Sequence, residues 1–294
     1  MKELLVISGK GGTGKTSIVG GLALLAEDKL LADCDVAASN LHLLLGAEEI
    51  ERENFYGSKL PLLDIKQCTG CGECRALCPT GAIDKDYSLQ PLFCEGCLLC
   101  YHVCPERAIS FKDRCSGQIF TSETDGGLLV HARLGIAEEN SGLLVAEVKK
   151  KVRLLAEKQK RELIIVDGPP GIGCPVISAL AEVDLVLIVT EPTVSGIHDL
   201  ERVVQVAEQF EIELLVCINK HDLYPQGRRE IEKFCQRNGL SSPVKVSFDP
   251  LITEAMVQGE SILSLYPEAQ ASREIRKVWH YLQDRLGLNN GRVS

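Results

Sequence analysis

Eight of the 13 cysteines fall between Cys68 and Cys104. An ordinary apolar core has no use for thiols at that density, so this stretch must fold around something else. It is also an internal repeat. Cys68-Thr-Gly-Cys-Gly-Glu-Cys-Arg-Ala-Leu-Cys-Pro-Thr-Gly-Ala-Ile83 aligns with Cys94-Glu-Gly-Cys-Leu-Leu-Cys-Tyr-His-Val-Cys-Pro-Glu-Arg-Ala-Ile109 at an offset of 26 residues, with 8 of 16 positions identical. Each half reads C-x2-C-x2-C-x3-C-P. An odd cysteine total in a chain not expected to be exported argues for metal ligation over a disulfide framework. A pair of zinc knuckles would group its thiolates two by two. Three-plus-one with a trailing proline, written twice, fits zinc poorly and suits the corners of an iron–sulfur cube.

That run resembles the bacterial ferredoxins with two [4Fe-4S] clusters. The resemblance implies that the fourth cysteine of each half ligates the cluster of the other half. The implied sets are Cys68, Cys71 and Cys74 with Cys104, and Cys94, Cys97 and Cys100 with Cys78. Of the other five cysteines, Cys34, Cys217 and Cys235 border apolar runs and are expected in the core. His102, inside the second loop, is expected at the surface and not as a ligand.

Outside residues 58–112 the chain alternates short aliphatic runs with longer amphipathic ones. Strands are expected at Glu3–Ser8, Lys29–Asp33, Glu162–Asp167, Asp184–Thr190, Glu211–Ile218 and Pro243–Ser247. Helices are expected near Lys15–Glu27, Ser141–Lys160, Pro175–Ala181, Gly196–Phe210, Gly227–Asn238, Leu251–Gln258 and Glu268–Leu286. The alternation predicts an α/β fold with a mostly parallel sheet covered on both faces. Gly117–Leu134 reads as two extended segments around Asp125-Gly126-Gly127. The expected organisation is therefore an α/β domain of residues 1–57 and 113–294, with a small α+β domain, 58–112, inserted. Insertion at a loop costs little, because closure entropy grows only logarithmically with length.

Gly9-Lys10-Gly11-Gly12-Thr13-Gly14-Lys15-Thr16 matches G-x4-G-K-[ST] between an expected strand and helix, the phosphate-loop context. Its amides, and that of Ser17, would cradle phosphate at a helix N-terminus. Lys15 would reach the β- and γ-phosphates, and the Thr16 hydroxyl would bind Mg²⁺. With Lys10 included, the loop resembles the deviant Walker A motif of the MinD/ParA/Mrp and nitrogenase-iron-protein class of ATPases. Asp33-Cys34-Asp35 through Asn40 looks like that family's switch I, and Leu163–Asp167 running into Gly168-Pro-Pro-Gly171 looks like Walker B and switch II.

The resemblance implies a P-loop ATPase that binds ATP and Mg²⁺ as a nucleotide-dependent homodimer. It implies that Lys10 reaches the partner's nucleotide, that Asp35 positions the attacking water, and that Asp167 holds Mg²⁺. Gly171 would let switch II respond to the γ-phosphate. Asn219-Lys220-His221-Asp222 looks like the base-reading N-K-x-D element, with Phe248 and Pro250 lining the base pocket. The stretches Ala137–Val145, Gly168–Val176 and Thr190–Asp199 also resemble the family. Cys174 lies where the nitrogenase iron protein has a ligand to a shared cluster; a third cluster would need a second cysteine, and Cys115 is the loose candidate.

The net charge of −9 makes nucleic acid and anionic lipid poor partners. Leu4-Leu5-Val6-Ile7 is too short for a signal sequence, so the cytoplasm is the expected compartment. The tail Ser272–Leu286, with Ile275, Val278, Trp279, Leu282 and Leu286 on one face, is expected to pack on the domain and not on a membrane, since Asn289–Ser294 is not basic. The expected function is ATP-driven electron transfer to a redox partner or client. The alternatives are a cluster-assembly ATPase, disfavoured by the lack of a C-terminal C-x-x-C, and a MinD/ParA-like positioning ATPase with redox-sensing clusters.

Overall fold

The computed structural model describes residues 1–136, 138 and 141–288. Ala137, at the start of one family-like stretch, and the end 289–294 lie outside the described residues. Strands are β1 (Lys2–Ser8), β2 (Lys29–Asp33), β3 (Glu48–Phe55), β4 (Ser58–Leu63), β5 (Ile109–Arg114), β6 (Gly117–Thr124), β7 (Gly127–Leu134), β8 (Leu163–Pro170), β9 (Leu185–Thr190), β10 (Glu213–Asn219) and β11 (Val244–Val246). Helices are α1 (Lys15–Leu25), α2 (Leu41–Leu44), α3 (Glu73–Ala76), α4 (Leu99–Val103), α5 (Ser141–Gln159), α6 (Cys174–Leu180), α7 (Val194–Ala207), α8 (Pro225–Arg237), α9 (Pro250–Val257), α10 (Ile262–Leu265) and α11 (Gln270–Leu286).

Nine strands form one sheet in the order β11-β10-β9-β1-β8-β2-β7-β6-β3. Pairing is parallel from β11 to β7 and antiparallel from β7 through β6 to β3. The central strands are aliphatic on both faces because each face is covered. One core joins residues of α5, α6, α7 and α8 to the sheet; the other joins α1, α9, α10 and α11. The apolar face of α11 is buried against the domain, with Ile275, Val278, Trp279 and Leu282 all within the second core. Cys34, Cys217 and Cys235 are buried as well. No described helix is long and apolar enough to cross a membrane.

Three strands, β3, β4 and β5, are not among those expected from the sequence. β3, Glu-Glu-Ile-Glu-Arg-Glu-Asn-Phe, carries no alternating apolar face and is exposed except for Phe55. It forms because β6 offers it a ladder, and its charges suit an outer edge. Its partner hairpin, β6 and β7, closes tightly at Asp125–Gly126. The other two are β4 and β5, which pair to make a separate two-stranded sheet.

The two sheets share one register. Phe55 faces Gly117 in β3/β6, and Ser58 faces Arg114 in β4/β5. Only Tyr56 and Gly57 on one side and Cys115 and Ser116 on the other separate them, and the Ser116 amide donates to the Phe55 carbonyl at 2.8 Å. The cysteine-rich unit is thus held on a two-stranded neck that continues the edge of the large sheet.

A column of flat side chains links α2 to this edge. His42 stacks on His131 of β7 with centroids 4.8 Å apart, and His131 on Phe120 of β6 at 5.0 Å. The Arg52 guanidinium of β3 covers Phe120 at 5.2 Å. Burial, and then the neighbouring His42 and Arg133, hold the His131 imidazole down at about 4. The unfolded chain protonates it near 6.5, so stability present at neutral pH is lost as pH falls from there towards 4. Replacing His131 with Phe keeps the stack and removes the titration. The loss of unfolding free energy between pH 7.5 and 5 should shrink by about 1–2 kcal/mol, measured by urea denaturation at both pH values.

Candidate functional site

β1, β2, β8, β9 and β10 all end at one side of the sheet, where crossovers open a cleft as parallel α/β topology requires. The cleft has a volume of about 740 Å³ and is lined by Gly11, Gly12, Thr13, Gly14, Lys15, Thr16, Ser17, Asp35, Asn40, Asn219, Lys220 and Phe248, among others. The loop between β1 and α1 is concave because Gly12 and Gly14 adopt φ of +82° and +84°. At Gly14 a side chain is doubly excluded, since a Cβ would lie 2.3 Å from the Asn219 amide nitrogen.

Asp167, in the C-terminal half of β8, organises the loop. Its carboxylate takes Lys15 Nζ at 2.5 Å and the Thr16 hydroxyl at 2.8 Å. Lys15 and Asp167 are both buried. Burial works against the Lys15 charge, but Asp167, with Asp33 and Asp35 behind it, holds its pKa above the usual lysine value. The Thr13 hydroxyl is buried with no hydrogen-bond partner. An orphan donor and a lysine inside a glycine-rich loop suit a phosphate group. Thr16, Asp167 and Asp35 supply the hard oxygen donors that Mg²⁺ requires. Burial pushes the Asp35 carboxyl above its ordinary range, and Lys15 pulls it back.

Sequence reasoning overlooked Asp33. It is fully buried and accepts from the Asp35, Asn40 and Leu41 amides and the Ser39 hydroxyl. One carboxylate therefore fixes the whole turn from Asp35 to α2. Its burial, with Asp167 nearby, pushes its pKa above the ordinary carboxylate range, against the pull of the Ser39 hydroxyl and Lys15. The signal was present as the first acid of Asp33-Cys34-Asp35, a charged residue at the end of a buried strand.

Other expected residues meet different partners. Lys10 points back along its own chain, donating to Ser195 at 2.9 Å, with Glu191 at 3.8 Å. The Asn219 amide donates to the Thr13 carbonyl at 2.7 Å, and its oxygen accepts from the Lys220 amide. Asn219 thus buttresses the phosphate loop, and the amine of Lys220 pairs with Glu191. Asp222 accepts from the Phe248 amide at 2.7 Å and fixes the loop that carries Phe248 into the cleft. Pro250 begins α9 and does not line the cleft; Leu43, Ile252 and Met256 supply apolar surface there instead. Gly9 packs against Asp199, and the Gly171 amide donates to the Ser8 carbonyl.

Among the described residues no group of three or more His, Cys, Asp or Glu side chains is gathered as around a single metal ion. The eight cysteines instead ring two small cavities. Cys68, Cys71, Cys74 and Cys104 line one, and Cys78, Cys94, Cys97 and Cys100 line the other. Main-chain amides point at three of the sulfurs: Gly70 to Cys68 at 3.4 Å, and Ala82 to Cys78 and Ala108 to Cys104 at 3.3 Å each. The last two are equivalent positions of the repeat. Cys115 and Cys174 are exposed.

Breaking the Lys15–Asp167 pair by Lys15→Ala leaves a buried carboxylate without its cation. Unfolding of the nucleotide-free chain should become easier by about 3 kcal/mol, and ATP binding should weaken by roughly 30-fold or more. Differential scanning calorimetry and equilibrium binding with a fluorescent ATP analogue measure the two effects.

Comparison with known proteins agrees with this geometry. The family described as CobQ/CobB/MinD/ParA nucleotide binding domain (CbiA) matches residues 4–262. An uncharacterized protein of Methanocaldococcus jannaschii is 38% identical over 222 residues, covering 74% of this chain and 78% of that one. Pyruvate synthase subunit PorD of Methanothermobacter marburgensis is 38% identical over 52 residues, covering 18% of this chain and 64% of that one. Among solved structures, the septum site-determining protein MinD of Pyrococcus horikoshii, complexed with Mg-ADP, superposes with a TM-score of 0.62 at 18% identity and covers 99% of both chains. This chain belongs to the CobQ/CobB/MinD/ParA nucleotide-binding family, as an ATP-binding P-loop ATPase of the MinD/ParA type.

Proposed function

We propose that this chain is a cytoplasmic, ATP-dependent homodimer. Its inserted domain, residues 58–112, is ferredoxin-like and holds two [4Fe-4S] clusters that exchange electrons with a partner protein. The observation that carries the reading is the crossed composition of the two cysteine-lined cavities. Each takes three sulfurs from one repeat and one from the other, the pattern expected of a two-cluster ferredoxin.

When bound, the clusters supply one-electron redox chemistry. The residues of this chain do the rest. Cys68, Cys71, Cys74 and Cys104 hold one cluster, and Cys94, Cys97, Cys100 and Cys78 the other, with amides such as Ala82 and Ala108 stabilising charge on sulfur. At the nucleotide end, Lys15 would leave Asp167 for an entering phosphate, whereas the Thr16 hydroxyl could bind Mg²⁺ through its oxygen and keep donating to Asp167. Asp35 then faces the γ-phosphate side and orients water. Lys10 leaves Ser195 for the partner subunit's nucleotide.

Purification without oxygen should yield about eight irons and eight sulfides per chain. The cluster EPR spectrum and potential should change on addition of MgATP. Absent iron and sulfide sink the cluster assignment, and loaded protein with no nucleotide effect sinks the coupling. Cys104→Ser should affect the Cys68 set and spare the Cys94 set, leaving one cluster's EPR signal as in the wild type.

The likeness to septum site-determining MinD favours a second reading, a positioning ATPase with redox-sensing clusters. ATP-dependent sedimentation with liposomes would support it. Burial of the α11 apolar face argues against it.

A further inference from the structure

The two halves of the cysteine repeat are alike in sequence but are not held alike. In the first loop the Gly70 carbonyl is taken by the Tyr87 hydroxyl at 2.6 Å, a contact wholly inside the inserted domain. In the second loop the carbonyls of Pro91 and Cys94 both accept from one guanidinium nitrogen of Arg114, each at 2.9 Å. Arg114 is the last residue of β5, in the neck. Its Nε pairs with Glu138 at 2.6 Å, and both side chains are largely buried there, 14% and 7% exposed. Glu138 belongs to the ATPase body: its amide bonds to Gly135, just after β7. Ser58 completes the joint, its hydroxyl meeting Ser116 at 2.9 Å and Glu138 at 3.4 Å.

Among the described residues, every side-chain hydrogen bond or ion pair between 58–114 and the body involves these four: Ser58, Arg114, Ser116 and Glu138. Beyond Glu138 lies α5, whose Gly142 packs on Cys174 at the start of α6, with a built Cβ 3.2 Å from the Cys174 Cβ. α6 in turn follows the switch II segment Gly168–Gly171.

We infer that Arg114 is a positioning residue. Pinned by Glu138, its guanidinium fixes the backbone carrying Cys94 to the ATPase body, so the Cys94 set is the one that senses the nucleotide state. The Cys68 set, held by Tyr87, is insulated from it. This rests on the cluster reading above. Arginine suits the role because one planar group serves two carbonyls and a carboxylate at once. Lysine keeps the charge without that fork.

The test uses the anaerobically prepared full chain, as wild type, Arg114→Lys and Glu138→Gln. Iron and sulfide are counted first, and ATP hydrolysis is measured as a control. Amide hydrogen exchange is then followed with and without MgATP. In the wild type, MgATP should change exchange across 91–100 and leave 68–74 unaltered. In both variants exchange across 91–100 should rise by about tenfold and lose its response to MgATP, while 68–74 and ATP hydrolysis stay as in the wild type. The EPR signal of one cluster should shift and that of the other should not. Equal changes in both loops, or a preserved MgATP response in both variants, overturn the role of Arg114. A wild type without iron and sulfide overturns the cluster reading instead, so the two failures are separable.

Discussion

Phe55 faces Gly117 and Ser58 faces Arg114, so the ladder of the ATPase sheet and that of the cysteine-rich unit keep one antiparallel register, bridged by the Ser116 amide on the Phe55 carbonyl. Hydrogen-bonded strands resist shear and slip, because a shift by one residue would turn every side chain to the opposite face. A unit joined by two flexible linkers would drift independently of the nucleotide. Joined by a paired ribbon, it inherits the orientation of β3 and β6. The partly buried Arg114–Glu138 pair adds a side-chain brace to that main-chain continuity.

At the other end, two carboxylates set the state of the cleft. Asp167 holds both Lys15 and Thr16, the groups needed for phosphate and Mg²⁺. Asp33 gathers the turn that leads through Asn40 into α2. From α2 only Leu45, Gly46 and Ala47 separate that turn from β3. The stack of His42, His131 and Phe120 spans the same gap from the side. Rearrangement of the turn around Asp33 therefore reaches β3 both along the chain and across it. Packed elements of this kind move between discrete arrangements and do not deform continuously.

Much of this was legible in the sequence. The parallel strands announce themselves as aliphatic runs, because a strand covered on both faces has no polar side. The phosphate loop is written in glycines, and the resemblance to two-cluster ferredoxins implied which thiols share a cavity. What stayed hidden was made by partners and not by pattern. β3 has an acidic sequence with poor strand propensity, and it is a strand only because β6 is beside it. Asp33 reads as an ordinary strand-end acid until four donors are seen to converge on it. The resemblance marks Asn219 as a base reader, and that its amide also supports the Thr13 carbonyl is visible only in the fold. Glu191 and Ser195, which receive Lys10, lie in the family-like stretch Thr190–Asp199, but nothing in that stretch singles them out as its partners.

The registers also decide where the inserted domain emerges. His131 in β7 lies beside Asp33 at the carboxyl end of β2, and the same end of β7, at Leu134, pairs with Gly117. Gly117 is the first residue of β6, and its partner Phe55 is the last of β3. Both strands of the neck therefore leave the sheet at the end where β1, β2 and β8 deliver the phosphate loop, Asp33 and Asp167. An insertion at the opposite end of the same hairpin, between β6 and β7, would lie a full strand length from the nucleotide, about 25 Å for eight residues. The chain instead opens at the edge of the sheet nearest its own switch. Loop insertions are tolerated at many sites, but only at this end does the motion of a few residues around Asp33 and Asp167 have a short, hydrogen-bonded route to the cysteines.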